Sequence, residues 1–403
     1  MQDVVSFQML TRKFFVILLV IFAAMTVCAG DVPLVLPEKA TAITRVLDRA
    51  MADGLVAGGV VLVGNRTGVV YEATFGRMAA APDAPPVTSE TLFDVASLTK
   101  VIATTPAVMK LAEEGRVSLV DPVARWFPEF AGKGKDEVLV VNLLTHTSGL
   151  DDFTLSPSAP LQSAIEGAAG QKLKGEPGVR FKYADINFIL LAELVRRASD
   201  MPLDRYAAGA FYAPLGMRST CFNPDPALGG RYAATLDAAG QPLYGRAQDY
   251  SARLLAGVAG HAGLFSTAGD LAIFCRTILN EGALNGRRVL EARTVRQMTA
   301  PYFSRGGKVA RGLGWDISSP YSSPRGSGFS EYSFGHTGYS GASLWLDPES
   351  DSYVIFLTSR LDYRHTRAFS QLRSDISTLA FEMLVPGGAM QVAATPSEPA
   401  SFR

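Results

Sequence analysis

The sequence predicts an α+β fold, an antiparallel sheet flanked by terminal helices with a large, mainly helical insertion. Three observations predict it. Strand-like pairs lie near both ends of the chain, and helical spacing flanks each pair. The stretch between them, from Ser97 to about Ala300, is mostly helical with long Pro/Gly loops.

At the start, Arg12 and Lys13 precede an apolar run, Phe14 to Val27, and Val27-Cys28-Ala29 places small residues where signal peptidase cuts, before Gly30. The run falls short of the roughly twenty residues a membrane span needs. Residues 1–29 are therefore expected to be a cleaved signal peptide and the protein to be periplasmic or secreted, with an uncleaved anchor as the alternative. Val27 is too bulky for a usual lipoprotein signal at Cys28.

The remainder, residues 30–385, is expected to be one domain. From Ala40 to Gly54, the residues Ile43, Val46, Leu47, Ala50 and Met51 keep helical spacing. Gly58 to Val63 and Val69 to Phe75 look like strands joined by the turn Asn65-Arg66-Thr67-Gly68. A second pair, Gly341 to Leu346 and Tyr353 to Thr358, surrounds Asp347-Pro348-Glu349-Ser350-Asp351. A last helix runs from about Ala368 to Leu384 with Leu372, Ile376, Leu379 and Met383 on one face, and 386–403 is a Pro/Gly/Ala/Ser-rich tail.

The chain of 403 residues is 48% hydrophobic and 19% charged, an ordinary globular composition. Lys+Arg and Asp+Glu balance at 38 each, which gives no support for a nucleic-acid partner. Cys and His show no metal-ligand spacing, so neither metal nor organic cofactor is expected. After cleavage Cys221 and Cys275 remain. An exported protein permits a disulfide, but Cys275 in the run Leu271-Ala272-Ile273-Phe274-Cys275 reads more plainly as a buried free thiol.

The chemistry starts at Ser97-Leu98-Thr99-Lys100, where the strand-like Thr91 to Val95 gives way to a helical run, Val101 to Leu111. Residues three apart on a helix share a face, so the lysine reaches the serine, and the helix start favours negative charge beside it. A serine is a weak nucleophile until a base and an electrostatic sink are supplied. Downstream come Tyr183-Ala184-Asp185, after the turn Glu176-Pro177-Gly178, and His336-Thr337-Gly338 at a hairpin.

In that order the three motifs resemble the serine β-lactamase and penicillin-binding protein superfamily, and the tyrosine of the second points to its class C-like branch. Supporting stretches are Leu143 to Leu150, Gly257 to Thr267, Gly312-Leu313-Gly314-Trp315 and Phe334 to Gly341. Met201 to Tyr206 with Tyr212 to Met217 look like the penicillin-binding protein 4B group of D-alanyl-D-alanine carboxypeptidases. The resemblance implies a β-lactamase-like fold and an acyl-enzyme on Ser97, with Lys100 and Tyr183 sharing the proton work. It leaves open which of the two is the general base.

Asp185, His336, Thr337, Gly338 and Tyr339 are the expected substrate contacts, with the N–H groups of Ser97 and Tyr339 as the oxyanion hole. Asp185 stands where an Asn is more usual; a carboxylate only accepts hydrogen bonds, and it could pair with Lys100 or cap the following helix. His336 replaces the usual lysine and is expected on the sheet's edge strand, gaining charge only towards acid pH. Arg360 or Arg364, if folded over the groove, would supply the missing cation. His146 and His261 are expected to be structural, and Glu176 a turn residue. The expected substrate is a peptidoglycan peptide or another small molecule, cleaved as by a D-alanyl-D-alanine carboxypeptidase or related amidase. The rivals are a small-ester esterase, a class C β-lactamase and a slow penicillin-binding module. Peripheral association with membrane or cell wall stays open.

Overall fold

A computed structural model describes residues 36–304 and 310–384. The signal peptide and tail expected from the sequence lie outside the described residues. Ile43, Leu47 and Ala50 form the buried face of α1 (Pro37–Ala52), and Pro37 sits in its first turn, where a missing N–H costs nothing. β1 (Val56–Gly64) and β2 (Val69–Gly76) form an antiparallel hairpin. Its turn is held by Asn65 Oδ1, which accepts from the N–H groups of Thr67 at 2.9 Å and Gly68 at 3.1 Å.

The insertion begins with β3 (Phe93–Asp94), a 3₁₀ turn at Ala96–Leu98 and one π-helical turn at Lys100–Thr104. It continues through α2 (Thr105–Glu113), α3 (Ile186–Ser199), β4 (Cys221–Phe222), β5 (Leu264–Ser266) and α4 (Ala268–Leu279). β5 pairs with β3 on one side and β4 on the other. The chain then returns to the main sheet with β6 (Phe303–Ser304), β7 (Ala310–Arg311), β8 (Asp316–Ser318), β9 (Phe334–Thr337), β10 (Ser343–Asp347) and β11 (Ser352–Arg360). It ends in α5 (Thr366–Glu382). The spatial order of the eight strands is β6-β7-β8-β9-β10-β11-β1-β2. The α+β architecture expected from the sequence is the one observed.

Alternation along the central strands divides the core. Val61, Val63, Val354 and Phe356 face one way and pack with Ile43, Leu47, Leu372 and Ile376 of the terminal helices. Val60, Leu62, Ile355 and Leu357 face the other way and join the core of the helical insertion. Because both faces of β1 are covered, its sequence is almost continuously apolar. β2, at the sheet margin, alternates exposed and half-buried residues instead. An ion pair between Lys39 and Glu382 ties α1 to α5.

One expectation changes here. β9 is not the edge strand, since β8 lies beyond it; the pairing on that side is Asp316 opposite Gly335, so His336 and Thr337 run on past it. β8 has only three residues, too few for an alternating pattern to show in the sequence. Cys221 and Cys275 are both free, and Cys275 is buried in α4. Among the described residues, no helix is long and apolar enough to cross a membrane.

Ile376 is fully buried between α5 and the sheet. Ile376→Ala should lower unfolding stability by about 2–5 kcal/mol, the range for a core truncation that leaves a cavity. Urea denaturation checks it; a loss below about 1 kcal/mol would mean the terminal helix is not part of the cooperative core.

Candidate active site

The turn carrying Ser97 contains a strained residue held by its neighbours. Ala96 has φ +45°, the left-handed region, which costs a residue with a Cβ about 1–2 kcal/mol. Asp94 Oδ1 accepts from Ala96 N–H at 2.8 Å and its Oδ2 accepts from Gln248 N–H at 2.7 Å. The hydroxyl of Thr99 donates to Ala96 O at 2.6 Å. From the β9–β10 turn, the hydroxyl of Ser340 donates to Asp94 O at 2.6 Å. Burial raises the Asp94 pKa to about 6, against the two backbone N–H groups that favour its charge. Gly338 is needed at this contact, because a Cβ there would lie 2.4 Å from Val95 O. The third motif is thus pressed against the segment that presents the serine.

Lys100 is fully buried and has three partners. Its Nζ donates to Ser97 Oγ at 3.0 Å and to His261 O at 3.1 Å, and it lies 2.7 Å from Asp185 Oδ1. The Tyr183 hydroxyl is electrostatically coupled to Lys100, whose Nζ lies 4.8 Å from the centre of its ring. Burial alone would push the lysine pKa down, but the Asp185 carboxylate and Tyr183 outweigh it, and the net shift is upward. Burial raises the Tyr183 pKa and Asp185 adds to this, despite the opposing charge of Lys100. Desolvation opposes ionisation of Asp185 too, but the lysine prevails and holds its pKa below the usual carboxylate value. The resting site is therefore an ammonium, a carboxylate and a neutral phenol.

Asp185 does not cap α3. It occupies the cap position with helical backbone angles and makes no capping bond; Asp152 Oδ1 instead accepts from Ile186 N–H at 2.9 Å. Tyr183 lies in the loop before α3, and its ring stacks on His146 at 4.4 Å between centroids. His146 Nδ1 accepts from Ala184 N–H at 3.2 Å, so His146 places the tyrosine. His261 Nε2 is 2.8 Å from Asp249 Oδ1. Burial pushes Asp249 up, but His261 and the Ala252 N–H bring it down to about 2. Donor atoms of Asp185, Asp249 and His261 lie within 4.8 Å of one another. They are already committed, Asp185 to Lys100 and the other two to each other.

Two cavities meet at Ser97, Tyr183 and Tyr339. One, of about 190 Å³, is lined also by Arg311, Asp316, Tyr321, His336, Thr337, Gly338, Arg360 and Arg373. The other, of about 620 Å³, is bordered by Asp185, Asp249, His261, Tyr363 and Arg364. The structure thus brings together Ser97, Lys100, Tyr183, Asp185, His336, Thr337, Gly338 and Tyr339, as expected from sequence. It separates Arg360 from Arg364, which border different halves.

The sequence and the fold resemble known proteins. The beta-lactamase family model covers residues 43–373. The chain belongs to the beta-lactamase family. A relative from Escherichia coli (strain K12), named "Putative D-alanyl-D-alanine carboxypeptidase", is 31% identical over 312 residues, 68% of this chain and 70% of that protein. A penicillin-binding protein homolog from Caulobacter crescentus superposes with a TM-score of 0.71 at 20% identity, covering 87% of this chain and 99% of that one. EstCE1, a hydrolase with promiscuous acyltransferase activity, gives 0.70 at 22% identity over 84% and 98%. These two structures speak for the fold alone.

Against the usual lysine of this beta-lactamase-family motif, His336 is a correction to the sequence expectation. It is buried, and desolvation with the charges of Arg311 and Lys100 drives its pKa well below 6.5. Its Nδ1 lies 2.8 Å from Thr337 O, so that nitrogen carries the proton. The imidazole stays neutral where the sequence suggested a cation at mildly acid pH. Sequence reasoning missed Arg311 and Arg373. The signal for Arg373 was present: Phe369, Leu372, Arg373 and Ile376 share one helical face.

Asp185 raises the pKa of both Lys100 and Tyr183, so removing its charge lowers both. A base must lose a proton before it can act, so kcat/KM should climb with pH through the neutral range. In Asp185→Asn this limb should move to lower pH. Paired pH–rate profiles check this; an unmoved limb would contradict the role given to the ion pair.

Proposed function

We propose that this exported member of the family is an active-site serine hydrolase that works through an acyl-enzyme on cell-wall peptides, as a D-alanyl-D-alanine carboxypeptidase or related amidase. The observation that carries the reading is Lys100 Nζ, 3.0 Å from Ser97 Oγ, 2.7 Å from Asp185 and 4.8 Å from the centre of the Tyr183 ring. The relatives' name supports the substrate class. The segment 1–29 supports export, which brings the protein to such peptides.

In this scheme the Lys100–Tyr183 pair acts after giving up one proton, a property of the pair rather than of either residue. It takes the Ser97 proton as Oγ attacks the carbonyl carbon. The N–H groups of Ser97 and Tyr339 hold the oxyanion. The Oγ–C bond forms, the C–N bond breaks, and the same proton passes to the leaving amine. Water then attacks the ester, gives a proton to the pair and so returns one to Ser97 as the acid leaves. The buried ammonium does not need to leave its place, because Asp185 and His261 O fix it.

Ser97→Ala should abolish covalent labelling by a fluorophosphonate or penicillin probe in a folded protein; undiminished labelling would remove Ser97 from the role. Lys100→Ala and Tyr183→Phe should each cost on the order of a hundredfold or more in kcat. The double variant should be little worse than the poorer single one, because the groups act as a unit. Fully multiplicative losses would rule out a shared relay. Assays with a D-Ala-D-Ala peptide, a nitrophenyl ester and a cephalosporin separate peptidase, esterase and β-lactamase; a fast ester beside an inert peptide would overturn the peptidase reading.

A further inference from the structure

The turn between β9 and β10, residues 338–342, carries Tyr339, whose N–H is one half of the oxyanion hole in the acyl-enzyme scheme. Two buried arginines reach this turn from other elements, Arg360 at the end of β11 and Arg373 in α5. They are 3% and 7% exposed. Arg373 Nη2 donates to Gly338 O and, at 2.8 Å, to Ala342 O. Arg360 Nη1 donates to Tyr339 O at 3.0 Å, and its Nε to Asp362 O at 2.8 Å. The hydrogen bonds of both side chains thus run to backbone carbonyls, and Gly338, Tyr339 and Ala342 of the turn supply most of them. Both guanidiniums also lie over the Phe369 ring, at 4.2 and 4.6 Å from its centroid. Holding two like charges out of water beside one ring costs stability, so packing alone does not account for them.

The peptide unit that joins Gly338 to Tyr339 links these bonds to the chemistry. It is trans, like every peptide bond among the described residues, so its C=O and N–H point opposite ways. The Gly338 oxygen is held twice, by Arg373 Nη2 and by the Gly341 N–H at 3.1 Å. The Tyr339 N–H, at the other end of the same plane, has no acceptor among the described residues. Tyr339 borders both cavities that meet at Ser97. Fixing the oxygen end therefore fixes the direction of the N–H. A cation on that oxygen also polarises the peptide, which makes the N–H a stronger donor to developing negative charge. Burial, with the neighbouring Arg360, draws the Arg373 pKa down to about 9, which leaves it charged at neutral pH. Arg360 holds the next peptide plane through Tyr339 O, so Tyr339 is fixed on both sides of its Cα.

We propose that Arg373 and Arg360 are positioning residues for the oxyanion hole. Arg373 orients and polarises the peptide between Gly338 and Tyr339, and Arg360 fixes the plane that follows it. They act through the backbone and not on the substrate. The proposal rests on the acyl-enzyme reading and adds how its oxyanion donor is held. Deleting an oxyanion donor outright costs about 10²–10³ in rate. Here the donor stays but is loosened and less polar, so the expected loss is smaller, roughly tenfold.

The test uses the full chain and compares a nitrophenyl ester with the matching thionoester. Sulfur accepts hydrogen bonds weakly, so the thionoester gains little from the oxyanion hole. Arg373→Gln removes the charge and shortens the side chain. It should lower kcat/KM for the oxoester roughly tenfold while the thionoester changes by less than about threefold. Arg373→Lys, which keeps the charge, should regain most of the loss. Arg360→Gln should lower the oxoester-to-thionoester ratio in the same direction by a smaller factor. It leaves both bonds of Arg373 in place, and it decides the matter alone if urea denaturation shows that Arg373→Gln does not fold. Unchanged rates, or equal losses on the two esters, in a folded variant would overturn the proposal, because a merely structural defect does not distinguish oxygen from sulfur. Labelling of the unmutated protein by a neutral fluorophosphonate tests Ser97 separately. Labelling with an unmoved ester ratio in the variants would overturn the positioning role alone, whereas absent labelling would overturn the hydrolase reading beneath it.

Discussion

The buried ion pair of Lys100 and Asp185 is the constraint on which the rest of the site depends. A lone ammonium at this depth would shed its proton, and a lone carboxylate would gain one. Held 2.7 Å apart, each keeps the other charged, and the lysine is left one hydrogen bond from the serine. The pair also sets the state of its neighbour. Tyr183 stays a phenol because burial and the Asp185 charge outweigh the pull of Lys100. An amide at position 185 would leave the ammonium uncompensated. The aspartate therefore fixes how many protons the site holds at rest.

Around this pair the fold supplies geometry from distant parts of the chain. The left-handed Ala96 is pinned by Asp94, Thr99 and, through Asp94, by Gln248 and Ser340. The His261 carbonyl fixes the far side of the lysine, and Thr104 Oγ1 donates to Gly260 O at 2.6 Å just before it. Strain at the turn that carries Ser97 persists because both the helical insertion and the sheet hold it in place. The cleft beside Ser97 is polar on both sides, with carboxylates beyond Asp185 and guanidiniums beyond His336.

Much of this was legible in the sequence. Hairpin signals at the two ends gave strands that become neighbours β11 and β1 in one sheet, and the helical spacing of Ile43 and Leu47, or Leu372 and Ile376, gave the faces that cover it. The three motifs, with Tyr339 directly after the third, named eight residues that the fold gathers around one point. What was not legible depends on distance in three dimensions. Whether Asp185 caps α3 or pairs with Lys100 turns on Asp152, which takes the capping position's work from 33 residues upstream, a partner no local pattern reveals. The neutrality of His336 comes from burial near Arg311 and Lys100. The short β8, which moves β9 off the edge, carries no periodicity of its own. Arg373 lay on an apolar helical face in plain view, but a charged residue there reads as surface until its neighbours are known.

The central claim is that Lys100 rests as an ammonium locked to Asp185. The direct measurement is an NMR titration of the Lys100 side chain in protein labelled with ¹³C and ¹⁵N lysine, following Cε and Nζ shifts with Lys100→Ala as the assignment control. The account predicts an ammonium throughout the neutral range and into alkaline pH, with deprotonation above the ordinary lysine value, and a lower transition in Asp185→Asn. A Lys100 that is already a neutral amine near pH 7, or whose titration is indifferent to Asp185, would contradict it.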